Sequence, residues 1–173
     1  YRSSFLGSGW DVAIGAVVGG INYIPPTNTW IHIAVVRDTT QNIINLYVNG
    51  GLAGSANVTG STALYNTSQA WNIGRYNYGT GSNFWFNGYM SNVRVTSSAL
   101  YTSNFTPTTS PLQAIPNTSL LTLQDNRFKD NSTNNLTLTV SGSPSIQAFN
   151  PFKNTTAYSP TLHGGSAYFD GST

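Results

Sequence analysis

The sequence predicts an all-β protein built as a two-sheet antiparallel β-sandwich. Only 7% of the residues are charged, against roughly 25% in ordinary domains, so the polar surface consists largely of Asn, Ser, Thr and Gly. These residues suit turns and solvent-facing strand positions better than long helices. Short runs of β-branched and aromatic residues recur between turn residues, and no segment keeps the apolar period of a helix. The length of 173 residues corresponds to about one sandwich domain.

The clearest local element is a β-hairpin in the first third of the chain. Two runs rich in β-branched residues, Trp30–Arg37 and Ile43–Val48, are separated by the polar loop Asp38–Asn42. Alternation in the second run places on one face Ile44, Leu46 and Val48. Asn49–Gly51 then supplies residues that tolerate a positive φ, which predicts a tight turn and a returning strand over Leu52–Val58.

Further strands are predicted beyond residue 70. The pattern indicates a loop over Tyr76–Asn83, a strand at Phe84–Phe86, a bend at Gly88 and a strand over Tyr89–Thr96. Four later runs also have the composition of strands and are bounded by turn residues. They are Ser119–Gln124, Asn135–Val140, Ser145–Phe149 and Ser166–Phe169.

Charge and composition exclude several classes of function. The net charge of +2 arises from seven scattered Lys and Arg residues, whereas nucleic acid requires a clustered patch, so no nucleic-acid partner is expected. No run approaches the ~20 apolar residues of a membrane span, so no membrane insertion is expected. Cysteine is absent, which excludes disulfides and Cys-ligated metals.

The carboxylates argue against catalysis. A retaining glycosidase needs two carboxyl groups about 5–5.5 Å apart, one acting as nucleophile and one as acid. This chain contains no Glu, and its five Asp residues are separated from one another and lie mainly at turns. The sequence therefore predicts no catalytic residue and no enzymatic activity.

Several motifs resemble one known family. They are Trp30-x-His32-x-Ala34-Val35-x-Arg37-Asp38, Leu46–Gly50, Ile73–Arg75, Phe86–Val95 and Leu100–Pro107. Together they closely resemble the laminin-G-like branch of the concanavalin A-like lectin/glucanase superfamily, over residues 28 to 112. The resemblance implies a jelly-roll sandwich. The Tyr-Thr-x-x-Phe-x-Pro pattern within Leu100–Pro107 is similar to modules that are repeated in phage virion proteins.

The resemblance also divides the chain. Residues 1–112 are similar to the C-terminal part of a laminin-G-like sandwich, and residues 113–117 have the composition of a linker. Residues 118–173 resemble the opening strands of the same family. They are therefore either the N-terminal strands of a following repeat or permuted strands that complete the same sandwich.

The resemblance implies a non-catalytic structural or adhesion module of a larger repeat-containing protein. The expected protein is a phage virion component (tail, fibre or capsid decoration), located in the virion or outside the cell. Its expected partners are other copies or other virion proteins. The alternative is a carbohydrate-binding, lectin-like domain of a microbial extracellular or surface protein, whose partner is cell-surface glycan.

Two candidate sites follow from residue chemistry. Aromatic faces with amide donors suit sugars, and these groups occur at a predicted sandwich end in Tyr76, Tyr78, Asn83 and Trp85. The alternative is that these rings cover the core or an adjacent subunit. Calcium prefers carboxylate and amide oxygens, which occur together in Asp125, Asp130 and Asn131. The alternative is that these three cap turns. No other cofactor is expected.

Overall fold

The computed structural model describes residues 2–6, 9–13, 21, 23–58, 71–78, 82–152 and 156–172, and at 2–6, 9–13, 76–78 and 82–84 it describes the backbone. The chain consists of two compact units. The first contains Tyr1–Trp71 and Ala99–Pro107, and the second contains Asn72–Ser98 and Thr108–Thr173.

Five strands form two antiparallel sheets in the described part of the first unit. They are β1 (Arg2–Leu6), β2 (Gly9–Ala13), β3 (Ile33–Asp38), β4 (Ile43–Val48) and β5 (Gly51–Asn57). β1 and β2 form a hairpin, and β3, β4 and β5 form a meander with β4 at its centre. The predicted hairpin and its returning strand are confirmed.

Asp and Asn residues build the two turns of the meander. After β3, the Oδ1 atom of Asp38 accepts the backbone N–H groups of Thr40 and Gln41, at 2.8 and 3.1 Å. Between β4 and β5, Asn49 and Gly50 have φ values of 49° and 82°. Two consecutive positive φ values match the right-handed twist of a hairpin, which explains the Asn-Gly pair at this turn.

One face of the meander carries the core of the first unit. Ile44 and Leu46 are 0% and 2% exposed, and they pack with Ile21 and Val58. Val48 packs against the same cluster. The predicted apolar face of β4 is therefore confirmed.

Segment Ala99–Pro107 covers Tyr47 on the opposite face of β4. The ring of Phe105 lies against Tyr47 with centroids 5.7 Å apart and stacks on Tyr101 at 3.6 Å. The backbone N–H of Phe105 donates to the carbonyl oxygen of Gly50 at 2.9 Å. Only glycine permits this approach, because a Cβ added at Gly50 would lie 1.8 Å from the Phe105 carbonyl oxygen.

Seven strands and one helical turn lie in the described part of the second unit. They are β6 (Arg75–Tyr78), β7 (Ser82–Trp85), β8 (Asn87–Met90), β9 (Val93–Thr96), β10 (Thr118–Thr122), β11 (Ser145–Gln147), α1 (Pro160–His163) and β12 (Ser166–Asp170). β6 pairs with β7, β9 pairs with β10, and β12 lies between β11 and β8. Strands from the later part of the chain therefore extend sheets that begin with β8 and β9. Within the described ranges, α1 and every other segment fall short of a helix that could cross a membrane.

The predicted all-β class is confirmed, because strands and a single four-residue helix account for the regular structure of the described residues. The predicted strand over Asn135–Val140 is wrong: these residues form no regular structure, and Leu136 and Val140 are 50% and 48% exposed. The backbone N–H of Leu136 donates to the Asp130 carboxylate, which removes it from strand pairing. The loop expected over Tyr76–Asn83 is shorter, because β6 and β7 extend into it as paired strands.

Candidate functional site

The four residues predicted to bind glycan lie on the β6–β7 hairpin. Tyr76 and Tyr78 occupy alternate positions of β6, while Asn83 and Trp85 occupy alternate positions of β7. The register pairs Tyr76 with Phe84, which lies between Asn83 and Trp85. Because directly opposite positions share a face, positions 76 and 78 belong to one face of the hairpin and positions 83 and 85 to the other. The side chains of Tyr76, Tyr78 and Asn83 lie outside the described part of the structure.

Trp85 is the member of this set whose side chain is described. It is partly buried, and the guanidinium carbon of Arg75 lies 4.7 Å from the centroid of its ring. A cation at this distance is attracted by the electron-rich face of the indole. One face of Trp85 is therefore covered by Arg75, and glycan binding at the hairpin stays a prediction.

Asp130, predicted as a calcium ligand, is held by four hydrogen-bond donors. Its Oδ1 accepts the backbone N–H groups of Leu121 and Ser132 at 3.0 and 2.8 Å. Its Oδ2 accepts the Ser132 hydroxyl and the Leu136 N–H, both at 2.8 Å. Asp130 is 1% exposed. Burial alone raises the pKa of Asp130, but the four donors outweigh it and lower the pKa from 3.8 to about 2.

Asp125 and Asn131, the other predicted calcium ligands, contact each other. The Nδ2 of Asn131 donates to Oδ2 of Asp125 at 3.1 Å, and Oδ1 of Asp125 accepts the N–H of Arg127 at 3.1 Å. The Asp130 carboxylate is instead engaged by backbone donors. Across the residues with described side chains, no three His, Cys, Asp or Glu residues come together as metal ligands. Calcium binding at this corner stays a prediction.

A surface that was not predicted lies on the three-stranded sheet β11–β12–β8. The register places Tyr168 opposite Tyr89 and Asp170 opposite Asn87. These four residues therefore belong to one face of the sheet. Burial along β8 alternates accordingly, because Asn87 and Tyr89 are exposed while the residues between and after them are partly buried.

Three aromatic rings lie together on this face. The centroids of Tyr89 and Tyr168 are 5.0 Å apart, and Phe149 lies 4.8 Å from Tyr89 with the ring planes inclined at 69°. Tyr89 and Phe149 are 40% and 56% exposed. The Ser166 hydroxyl donates to the carbonyl oxygen of Phe149 at 2.5 Å, which fixes the segment after β11 to β12. We call this surface, formed by Asn87, Tyr89, Phe149, Tyr168 and Asp170, the tyrosine face.

The opposite side of the same sheet is apolar. Ala167 is 0% exposed, and Phe169 packs edge-to-face against Phe86 with centroids 6.1 Å apart. Gly74 leaves room for the Phe169 ring, because a Cβ added at Gly74 would lie 2.5 Å from that ring. Packing on the apolar side fixes the register that displays the tyrosine face on the other.

Residues 7–104 match the laminin-G-type family model described as the concanavalin A-like lectin/glucanases superfamily. The match spans more than half of the 173 residues. The chain belongs to this superfamily. No curated protein and no solved structure matches it. Membership of the superfamily confirms the predicted fold class, an all-β concanavalin A-like sandwich.

In this member of the superfamily, the described Asp side chains accept hydrogen bonds from backbone N–H groups. The Oδ1 of Asp170 accepts the N–H and the hydroxyl of Ser172 at 2.9 and 2.8 Å, and both donors lower the pKa of Asp170. The same pattern, an Asp that accepts a backbone N–H within its own turn, occurs throughout the described side chains. The residues concerned are Asp38, Asp125, Asp130 and Asp170.

The tyrosine face escaped prediction because its members come from distant segments. Tyr168 and Asp170 lie in the region 118–173, for which the resemblance left open whether it belongs to the same sandwich. The pairing of β12 with β8 cannot be derived from a single sequence. A local signal does exist in β8, where Asn87 and Tyr89 alternate with Gly88 and Met90.

Proposed function

We propose that the chain is a non-catalytic adhesion module that recognises carbohydrate. The chain belongs to a superfamily of lectins and glucanases, and the observation that carries the proposal is the role of its carboxylates. Glu is absent from the sequence, and each described Asp side chain is committed to a backbone N–H in a turn. Of the two activities in the superfamily's name, binding is the one that these residues support.

The requirements of glycoside hydrolysis support the same conclusion. The reaction needs one carboxyl group with a raised pKa as general acid and a second carboxylate nearby. Asp130 is the Asp that is buried in the described part of the chain, and its pKa is lowered to about 2. A carboxylate that stays ionised and accepts four hydrogen bonds is suited to holding a turn together and unsuited to donating a proton.

Within this proposal, the module belongs to a larger repeat-containing protein of a phage virion, such as a tail, fibre or capsid decoration protein. The Tyr-Thr-x-x-Phe-x-Pro pattern supports this assignment, since it resembles repeated virion modules and two of its residues, Tyr101 and Phe105, anchor a segment to the fold. Other copies and other virion proteins are then its partners. A microbial extracellular or surface protein is the alternative, and mass spectrometry of purified virions distinguishes the two.

In this proposal, residues 118–173 are permuted strands that complete a sandwich with preceding residues. The pairing of β10 with β9 and of β12 with β8 supports the permuted arrangement. Limited proteolysis tests it: a protease-resistant fragment that runs through residues 113–117 is expected. Cleavage within 113–117 into two stable fragments would contradict it and favour a separate following repeat.

A glycan array probed with the 173-residue chain tests carbohydrate recognition. Binding to at least one class of glycan is the expected result. Silence across the array, combined with concentration-dependent self-association in sedimentation, would contradict carbohydrate recognition and leave assembly as the role. Trp85→Ala tests the hairpin site, since binding lost in this variant alone would place the glycan on β6 and β7.

A further inference from the structure

We infer that the tyrosine face is the carbohydrate site and that its ligand is a neutral glycan about two pyranose rings long. The inference rests on the proposed carbohydrate-binding function and names the site and the ligand class for it. Three features of the face carry it: the row of rings, the pair of polar groups at one end, and the charge.

The row of rings provides the stacking surface. Single exposed apolar residues are ordinary on a protein surface, but a cluster of exposed aromatic rings indicates a binding site. Phe149, Tyr89 and Tyr168 have successive centroids 4.8 and 5.0 Å apart, with Tyr89 in the middle. Each spacing is close to the width of one sugar ring. The planes are inclined at 69° and 44°, so the three rings pack against one another and together form an apolar surface for the C–H face of a pyranose.

The polar pair provides the hydrogen bonds. Asn87 and Asp170 lie opposite each other, two residues along β8 and β12 from the tyrosine pair, which is about 7 Å. Both are exposed. Within the described part of the chain, the Oδ2 of Asp170 and the amide of Asn87 have no hydrogen-bond partner, while Oδ1 of Asp170 is held by Ser172. A fixed carboxylate beside an amide offers acceptors and donors for neighbouring sugar hydroxyls.

The charge of the face selects neutral ligands. Asp170 is ionised at neutral pH, and the strands β8, β11 and β12 contain no Lys or Arg. A glycan with a carboxylate or sulfate would be repelled by the negative charge of Asp170 at the polar end of the face. Neutral hexoses and N-acetylhexosamines meet no such repulsion.

The test titrates the 173-residue chain with the neutral oligosaccharide that gives the strongest signal on the array, and with sialyllactose as the anionic probe. Tyr89→Ala is expected to weaken binding at least about tenfold. Tyr89→Phe keeps the ring and is expected to retain binding. Asp170→Asn keeps the acceptor for Ser172 but removes the charge, and it is expected to weaken binding of the neutral glycan several-fold. Trp71→Ala is the matched control, because Trp71 is a 62% exposed aromatic residue outside these three strands.

The outcomes separate the inference from the proposed function. Silence with every glycan would overturn both. Binding that survives both Tyr89→Ala and Asp170→Asn would overturn the inference and leave carbohydrate recognition standing, as would selective loss in Trp85→Ala. Binding of sialyllactose in preference to neutral sugars would overturn the ligand class. Unfolding temperatures of all variants are measured alongside, so that Asp170→Asn decides the matter if Tyr89→Ala fails to fold.

Discussion

Replacement of Asp130 by Asn is expected to destabilise the protein by about 2–4 kcal/mol at pH 7. The carboxylate accepts four donors, from Leu121, Leu136 and twice from Ser132. An Asn amide keeps one acceptor oxygen and puts an NH2 group where the other stood. The Ser132 hydroxyl can reverse and accept from that NH2, but the N–H of Leu136 cannot, so one partly buried donor loses its partner.

The lowered pKa of Asp130 makes the stabilisation by these hydrogen bonds depend on pH. The pKa falls from 3.8 in the unfolded chain to about 2 in the folded protein, which corresponds to roughly 2 kcal/mol of stabilisation. Because the folded-state pKa is the lower one, this stabilisation is fully present above about pH 4. It is lost as the pH falls from about 4 to about 2.

Urea unfolding of the wild type and Asp130→Asn at pH 7 and pH 2 measures both effects. The difference in unfolding free energy between the two proteins is expected to shrink at pH 2, where the wild-type carboxylate is partly protonated. Asp125→Asn is the matched control at the same corner, since Asp125 is less buried than Asp130, and a change near 0.5 kcal/mol is expected. A loss below about 0.5 kcal/mol for Asp130→Asn at pH 7, or an equal loss at both pH values, would refute the account of this carboxylate.

Three further changes are predicted. Gly50→Ala is expected to lower the free energy of unfolding by about 2–4 kcal/mol, because φ at this position is +82° and the new Cβ would meet the Phe105 carbonyl oxygen. Gly51→Ala is the control and is expected to lower it by less than about 1 kcal/mol, because its Cβ would have ordinary contacts. Equal unfolding temperatures for the two variants would contradict this. Ser132→Ala is expected to cost about 1 kcal/mol and to raise the pKa of Asp130, measured by carboxyl-carbon NMR titration; an unchanged pKa would show that the hydroxyl contributes nothing. EDTA is expected to leave the unfolding temperature unchanged in scanning fluorimetry, because N–H and O–H donors occupy the oxygens of Asp130; a fall would support the calcium prediction.

The meander β3–β5 could be predicted from the sequence because its determinants are local. Alternation of apolar residues in β4 defines the face that packs in the apolar core, and the Asn49-Gly50 pair defines the second turn. Both signals act within a few residues and agree with each other. Fold class followed from the repetition of such signals along the chain.

The Asn135–Val140 run shows where local signals fail. Its alternation is that of a strand, but the Leu136 N–H is taken by Asp130, a partner six residues earlier. Here the Asp130 side chain takes a backbone donor that a strand would need, and this outweighs the strand propensity of the run; the competition is visible only in three dimensions. For the same reason the sequence singled out Asp130 by residue type as a calcium ligand and could not indicate the hydrogen bonds that its oxygens accept.

Which residues share a candidate site is determined by the register of strand pairing. Tyr76 and Trp85 are close in sequence, yet the hairpin register assigns them to opposite faces. Tyr89 and Tyr168 are far apart in sequence, yet the β8–β12 register places them side by side. Sequence proximity was therefore a poor guide to which aromatic residues share a surface.

The order in which the strands leave the ribosome has a consequence for this fold. Ala99–Pro107 belongs to the first unit although it lies between two parts of the second. The described strands of the first unit and their covering segment have therefore emerged by residue 107, while β8 still lacks β12. Until Ser166–Asp170 emerges, one edge of β8 has no partner from its own sheet and is open to pairing with another chain. Translation that stalls in this interval is expected to yield aggregates that form through β8, with the first unit already folded.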